Sequence, residues 1–308
     1  MNDKMILLCG IPSEGPIAKA NEALLKKGAH VVVFNQRQYA DTQVEWSFVN
    51  GKPSGLLHTH NCSYQLDNFK SVYTRFMSEM DIPEVKNTDE KNIKSCRSLH
   101  ESLYQWLEVT DSNVVNRHSL MFSNSSKPYQ AQIIRLFGLK TPPTVITNNP
   151  EVALAFYNKH KSVIYKSISG VRSIVKEFDP SDLERLAKIK YCPVQFQKKL
   201  GGFDVRVHVI GKKTVATKIV STEVDYRYVS KTKGETILEP FEIPDYVKRS
   251  CIQINAALGL SFTGIDLRFT DEGVYCFEVN PMPGYSYYES NTGQGISTLL
   301  AEYLINAE

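Results

Sequence analysis

Apolar residues in the first part of the chain fall in short runs separated by breakers, which predicts alternating strands and helices. Met5 to Cys9 is an unbroken apolar run, Pro12 to Pro16 interrupts it, Ala18 to Lys27 has helical spacing, and Val31 to Phe34 is β-branched and aromatic. That order is a small α/β unit. A second strand is expected over Ser71 to Met77 and a helix over Cys96 to Val109, with this domain ending near residue 115. The loop from Gly10 to Gly15 lacks the G-x-G-x-x-G spacing that brings a dinucleotide pyrophosphate onto a helix N-terminus, so it is read as packing.

From Ser123 the pattern changes. Ser and Pro at a first turn, an apolar face at Ile133, Leu136 and Phe137, and Gly138 at the stop predict one helix. Asn149-Pro150-Glu151 opens another, with Asn as cap and Pro at the first helical position, after an extended link at 141–147. Strands are expected over Ser162 to Ser167 and Ser173 to Phe178, followed by a capping box from Ser181 to Glu184. The remainder is strand-rich: Val194 to Lys198, Phe203 to Ile210 and Thr214 to Ser221, then a helix Asp245 to Leu258 and a hairpin Phe262 to Asn280. A last helix stacks Ile296, Leu299, Leu300, Tyr303 and Leu304 on one face. Tyr226 to Glu239 is polar without periodicity and reads as a loop able to close on a substrate. The fold class is α+β with an α/β start, in three units: 1–115, 116–192 and 193–308.

Composition narrows the class. At 42% hydrophobic and 22% charged over 308 residues, the chain is an ordinary globular one, longer than a single typical domain. The net charge of +3 is scattered in pairs such as Lys26-Lys27 and Lys212-Lys213 and forms no basic run, which argues against a nucleic-acid partner. Six cysteines lie far apart with no C-x-x-C pair, and no apolar stretch approaches the ~20 residues of a membrane span. A cytoplasmic protein with no membrane partner is expected.

The sharpest chemical signal is the hairpin Gly264 to Gly284. A three-residue loop at Asp271-Glu272-Gly273 pairs Thr270 with Val274 and sets Asp266 opposite Glu278; a bulge shifts this by one. Strand alternation puts Asn280 on the face of Glu278, with Tyr275, Phe277 and Val279 on the other. Two carboxylates about 4 Å apart repel by roughly 4 kcal/mol at an effective dielectric of 20, a cost that a bound cation removes. An all-oxygen donor set of this kind suits magnesium shared with nucleotide phosphates. Lys166 and Lys218 each interrupt an apolar β run, which is unfavourable unless the ammonium meets an anion. Ser169 and Gly170 lie in a small-residue segment whose N–H groups could close over phosphate. In Phe203 to Gly211, Asp204, Arg206 and His208 share one face and Val205, Val207 and Val209 the other; a three-residue turn at Gly211 sets Arg206 opposite Lys218. His58, His60 and Cys62 alternate along one face, but a fourth zinc ligand is not visible.

The order of these features resembles the ATP-grasp superfamily over nearly the whole chain, with Glu278-Val279-Asn280-Pro281-Met282-Pro283-Gly284 as the specific match. The resemblance implies an N-terminal pre-ATP-grasp domain, a central lid and a C-terminal antiparallel-sheet domain, with ATP between the last two. It also implies roles. Lys127 and Lys166 contact phosphates, the backbone of Gln195, Phe196, Gln197 and Lys198 reads adenine, and Asp204 helps hold the nucleotide. Asp266, Glu278 and Asn280 hold Mg2+, while Arg206 and Lys218 face the γ-phosphate and an acyl phosphate.

The chain is similar to the branch of ribosomal-protein glutamate ligases and microviridin-type (graspetide) peptide macrocyclases. Residues 127–151 and 71–77 look like the macrocyclases, and Met282-Pro283-Gly284 like the glutamate ligases. The implied activity is an ATP-dependent ligation of a carboxylate to an amine or hydroxyl, on a peptide or protein carrying Asp or Glu. A free amino-acid ligase, and an ATP-binding or kinase-like protein, remain the alternatives. Relatives in this branch are often dimers, so a homodimer is implied as an option.

Overall fold

The computed structural model describes residues 5–60, 62–168, 175–221 and 236–307. Along the chain come β1 (Met5–Gly10), α1 (Gly15–Lys26), β2 (Val31–Asn35), β3 (Gln43–Val49), β4 (Lys52–His58), β5 (Ser63–Gln65), β6 (Phe69–Thr74), α2 (Pro83–Lys86), α3 (Glu90–Val109) and β7 (Asn113–Val115). Next are α4 (His118–Met121), α5 (Lys127–Leu136), β8 (Thr144–Thr147), α6 (Pro150–His160), β9 (Val163–Ser167), β10 (Lys176–Glu177), α7 (Leu183–Leu186) and β11 (Val194–Lys198). The chain closes with β12 (Phe203–Ile210), β13 (Lys213–Ser221), β14 (Thr236–Pro240), α8 (Asp245–Ala257), β15 (Phe262–Thr270), β16 (Gly273–Asn280), α9 (Ser286–Thr292) and α10 (Ile296–Ile305).

The expected α/β start is a parallel sheet in the order β2-β1-β6-β7. Its central strand is apolar throughout because both faces are covered. Ile6 and Leu8 pack on α1 and α10, whereas Met5, Leu7 and Cys9 pack on α3. Helix α3 begins six residues before the expected Cys96, since Asp89 accepts the Asn92 N–H at 2.8 Å and caps a polar first turn that carries no apolar signal. The three-stranded sheet β3-β4-β5 was not expected: β3 alternates polar and apolar residues from Gln43 to Phe48, but β4 carries Pro53 and Gly55 and β5 has only three residues.

On α3, buried His100 touches Phe34 and Phe76 and lies 3.7 Å from Cys96 Sγ. Burial lowers its pKa to about 4, against a weaker pull upward from Glu79. The unfolded chain takes this proton near pH 6.5 and the folded chain does not, so stability falls by about 3 kcal/mol as pH drops from 6.5 to 4. Unfolding of wild type and His100→Asn across that window checks this, the variant losing the His100 share of the slope while buried His208, whose pKa burial also lowers, keeps its own.

The second sheet is antiparallel, in the order β10-β9-β11-β8. Lys166 lies opposite Gln195, so Lys166, Gln195 and Gln197 share one face; Tyr165 and Phe196 point the other way, into a core with α6 and α7. Asn149 caps α6 as expected, accepting from Glu151 N–H at 2.8 Å. The capping box before α7 starts instead at Asp179, which accepts from Ser181 while Asp182 reaches back to the Asp179 N–H.

The third sheet, β14-β13-β12-β15-β16, is antiparallel. Val205, Val207 and Val209 share one face, as expected, and that face packs against α5 and α8. On α5 it is Ile134 that is buried, while Leu136 is 75% exposed, because the helix turns Gln130 and Ile134 toward the sheet. Residues 236–239, expected as loop, pair with β13; the rest of the expected loop, 226–235, and Ser169 and Gly170 lie outside the described residues. Helix α10 buries Ile296, Leu300 and Leu304 against α1, with Leu299 and Tyr303 at the margin.

Candidate active site

The site is built on one face of the third sheet. Asp266 stands opposite Glu278 and Gly264 opposite Asn280, as expected, but by a different route. The turn has two residues, pairing Thr270 with Gly273 and Phe269 with Val274, and a bulge at Phe277 restores the offset before Glu278. The same bulge re-sorts the strand's other face: Val274, Cys276 and Val279 meet the core, while Phe277 lies under the Arg268 guanidinium and Tyr275 beside Lys140.

Strand β12 supplies the cation. Arg206 is opposite Asp266 and donates from Nη1 to Asp266 Oδ1 at 2.5 Å, its side chain only 6% exposed. Gly264 makes room for it, since a Cβ there would overlap the guanidinium. One pair along, Asp204 holds Arg268 in a two-pronged ion pair at 2.7 Å, and Arg268 also donates to the Leu200 carbonyl. Asp204 is thus committed to Arg268, a partner that sequence reading missed although Asp266 and Arg268 share strand parity.

Helix α5 and the second sheet add the remaining positive charge. Lys127 Nζ lies 2.8 Å from Glu278 Oε2 and 2.7 Å from Asn124 Oδ1. Burial works to raise the Glu278 pKa, but Lys127, Lys166 and Arg206 outweigh it and hold the carboxyl below its ordinary range. These three cations outnumber Asp266 and Glu278 by one, an imbalance that suits an anion such as a polyphosphate. Asn280 Oδ1 accepts the Met282 N–H at 2.9 Å, which orients its amide.

One expectation needs correction. Lys218 is opposite Val205, one position from the expected register, because the β12–β13 turn pairs Ile210 with Lys213. Its ammonium therefore sits on the other face, over the Phe203 ring at 4.8 Å, away from Arg206. Strand β11 is flanked by β8 and β9, so the backbone of Gln195, Phe196 and Gln197 is engaged in the sheet ladders on both sides. Gln197 Nε2 donates to Thr144, Phe196 is core, and Lys198 lies 3.5 Å from Glu272 at the hairpin tip. Among the described residues no group of three or more His, Cys, Asp and Glu gathers as a metal site; His58 contacts Ser63 and Glu45 instead. The Asp266, Glu278 and Asn280 set is of another kind, two carboxylates and an amide, and as an all-oxygen set on a quarter-exposed face it fits magnesium.

Fold and site together define an ATP-dependent ligase of the ATP-grasp class. The RimK-like ATP-grasp domain model matches residues 125–304, and the chain belongs to that family, whose enzymes use ATP and Mg2+. A probable alpha-L-glutamate ligase of Haemophilus influenzae is 25% identical over 217 residues, 67% of this chain and 71% of that one. A probable alpha-L-glutamate ligase of Cellvibrio japonicus is 29% identical over 147 residues, covering less than half of either chain. Among solved structures, a RiPP-associated ATP-grasp ligase of Chryseobacterium gregarium, in complex with ADP and a leader and core peptide, superposes with a TM-score of 0.85 at 25% identity, covering 99% of this chain and 97% of that one. The macrocyclase MdnC of Microcystis aeruginosa, bound with its precursor peptide, shares the fold at a TM-score of 0.81 and 19% identity, over 98% and 100% of the two chains. Among the described residues no helix is long and apolar enough to cross a membrane.

Proposed function

We propose that the protein activates an Asp or Glu side chain of a peptide as an acyl phosphate and joins it to a hydroxyl or amine. The substrate carboxylate attacks the γ-phosphorus of ATP, ADP leaves, and the nucleophile then displaces phosphate from the acyl carbon. Lys127 and Lys166 bind the phosphate oxygens, and Arg206 neutralises the transferred group. Asp266, Glu278 and Asn280 would hold Mg2+, which would supply the positive charge that offsets the phosphates. Arg268, tied to Asp204 and the Leu200 carbonyl, fixes the segment that leaves β11 beside the nucleotide.

The observation that favours a peptide over a free amino acid is a cavity of about 220 Å³ on the far face of the second sheet from Lys166. Phe178, Leu186, Ile189 and Phe196 line it, and Asp182, Arg185 and Lys188 carry charge at its margin. On the face opposite Lys166 it would receive a peptide segment distant from the reacting carboxylate, a reading supported by the peptide-bound Chryseobacterium gregarium ligase. ADP and phosphate should form only when an Asp- or Glu-bearing peptide is present; formation with free glutamate alone would support the amino-acid reading. Arg185→Glu with Lys188→Glu, at exposed positions of the margin, should raise KM for the peptide about tenfold or more while the Mg-ATP thermal shift stays as in wild type. An unchanged KM would remove the peptide from this cavity.

A further inference from the structure

Strand β16 is the edge of its sheet, paired in the ladder with β15 alone, yet it carries Glu278 and Asn280. An edge is free to fray or slip, and a slip of one residue turns every side chain to the opposite face. Three buried side chains from outside the sheet secure this segment's main chain at alternate positions. Gln130 donates to the Val279 carbonyl at 2.7 Å and accepts the Val279 N–H at 3.1 Å. Asn116 donates to the Pro281 carbonyl at 2.6 Å and to the Phe262 carbonyl at 2.6 Å, and its Oδ1 accepts from Ser261 and Phe262. Arg75, held by Glu14, donates to the Pro283 carbonyl at 2.9 Å. The three side chains belong to residues only 1%, 4% and 6% exposed. Farther down the strand, the Lys140 main chain takes the Cys276 N–H and the Val274 carbonyl.

The anchored positions 279, 281 and 283 alternate with Glu278 and Asn280. The main chain is gripped while the two ligand side chains stay available on the site face. Gln130 differs from the other two anchors in its helix: it lies one turn from Lys127 on α5, on the same helix face.

We infer that Gln130 is a positioning residue for the metal and phosphate site: its amide fixes the Val279 peptide units between two metal ligands and locks the helix bearing Lys127 to the strand bearing Glu278. This rests on the reading that Asp266, Glu278 and Asn280 hold the metal. Gln130→Met keeps the volume and loses both hydrogen bonds; Gln130→Asn keeps the amide but is one methylene short. The probe is Mn2+ in the presence of AMPPNP, with free Mn2+ followed by paramagnetic resonance.

Outer-shell losses of this kind weaken metal binding about 10–100-fold, so Gln130→Met should raise the Mn2+ dissociation constant by that factor and Gln130→Asn by less. Ile134→Ala, a core truncation on the same helix, should lower the melting temperature at least as much and leave Mn2+ affinity as in wild type. Mn2+ binding by Gln130→Met and Gln130→Asn within threefold of wild type overturns the inference, as does an equal loss in Ile134→Ala. The double variant Glu278→Gln with Asn280→Ala tells the two failures apart: if it binds Mn2+ normally, the metal assignment itself is wrong.

Discussion

Replacing Glu278 with Gln and Asn280 with Ala together should reduce ATP-dependent ADP and phosphate formation by about 10^3-fold or more, with peptide present in excess. Each loss acts on the same feature. Glu278 is the carboxylate around which Lys127, Lys166 and Arg206 gather, and Asn280 is set by its bond to Met282 N–H to point with it. Removing one preorganised group aimed at developing charge costs roughly 10^2–10^3 in turnover, and two ligands of one ion fail together rather than additively. The fold should survive, since both side chains are partly exposed and the strand's anchors at Gln130 and Asn116 are untouched. ADP formation within tenfold of wild type would mean that the acidic face takes no part in phosphoryl transfer.

Arg206→Met should have the next largest effect, with a different signature. Turnover falls by about 10^2–10^3 because the guanidinium no longer meets the transferred phosphoryl. Stability without nucleotide also falls, by about 2 kcal/mol, below the 3–5 kcal/mol of a fully buried pair because Asp266 is a quarter exposed. The Mg-ATP-dependent gain in melting temperature persists, because the carboxylate freed from Arg206 can still meet a cation. Calorimetry with and without Mg-ATP, alongside an ADP assay, separates this variant from the double one, in which both turnover and shift are lost. Turnover within threefold of wild type would remove Arg206 from the reaction.

What could be read from the chain before its structure was what local spacing controls. The Asp266–Glu278 pair belongs to a hairpin, whose register follows from the turn, and two departures of one residue, in the loop and at Phe277, cancelled between the tip and the site. At β12–β13 the same two-residue turn had no compensating bulge, so Lys218 was placed one position off and on the wrong face. Pairing of β12 with β15 joins segments some sixty residues apart, and nothing local fixes it; hence Arg206 was foreseen as a cation but neither its bond to Asp266 nor the Asp204–Arg268 pair was. Gln130 and Asn116 were invisible for a related reason. Their role lies in main-chain bonds to residues 279 and 281, and an amide side chain in a helix or loop looks the same in sequence whether it faces water or an edge strand. The interior position of β11 likewise depends on partners on both sides, which an apolar five-residue run does not reveal.

The central claim, that Asp266, Glu278 and Asn280 hold Mg2+ against ATP, is tested most directly by thermal unfolding with Mg-ATP, with ATP and EDTA, and with neither. Nucleotide at about 100 times its dissociation constant adds roughly 2.7 kcal/mol, a rise of a few degrees. The account predicts that rise in the wild type only when Mg2+ is present, and no rise in the Glu278→Gln, Asn280→Ala protein. An equal rise in that double variant, or a wild-type rise that EDTA leaves intact, would contradict it.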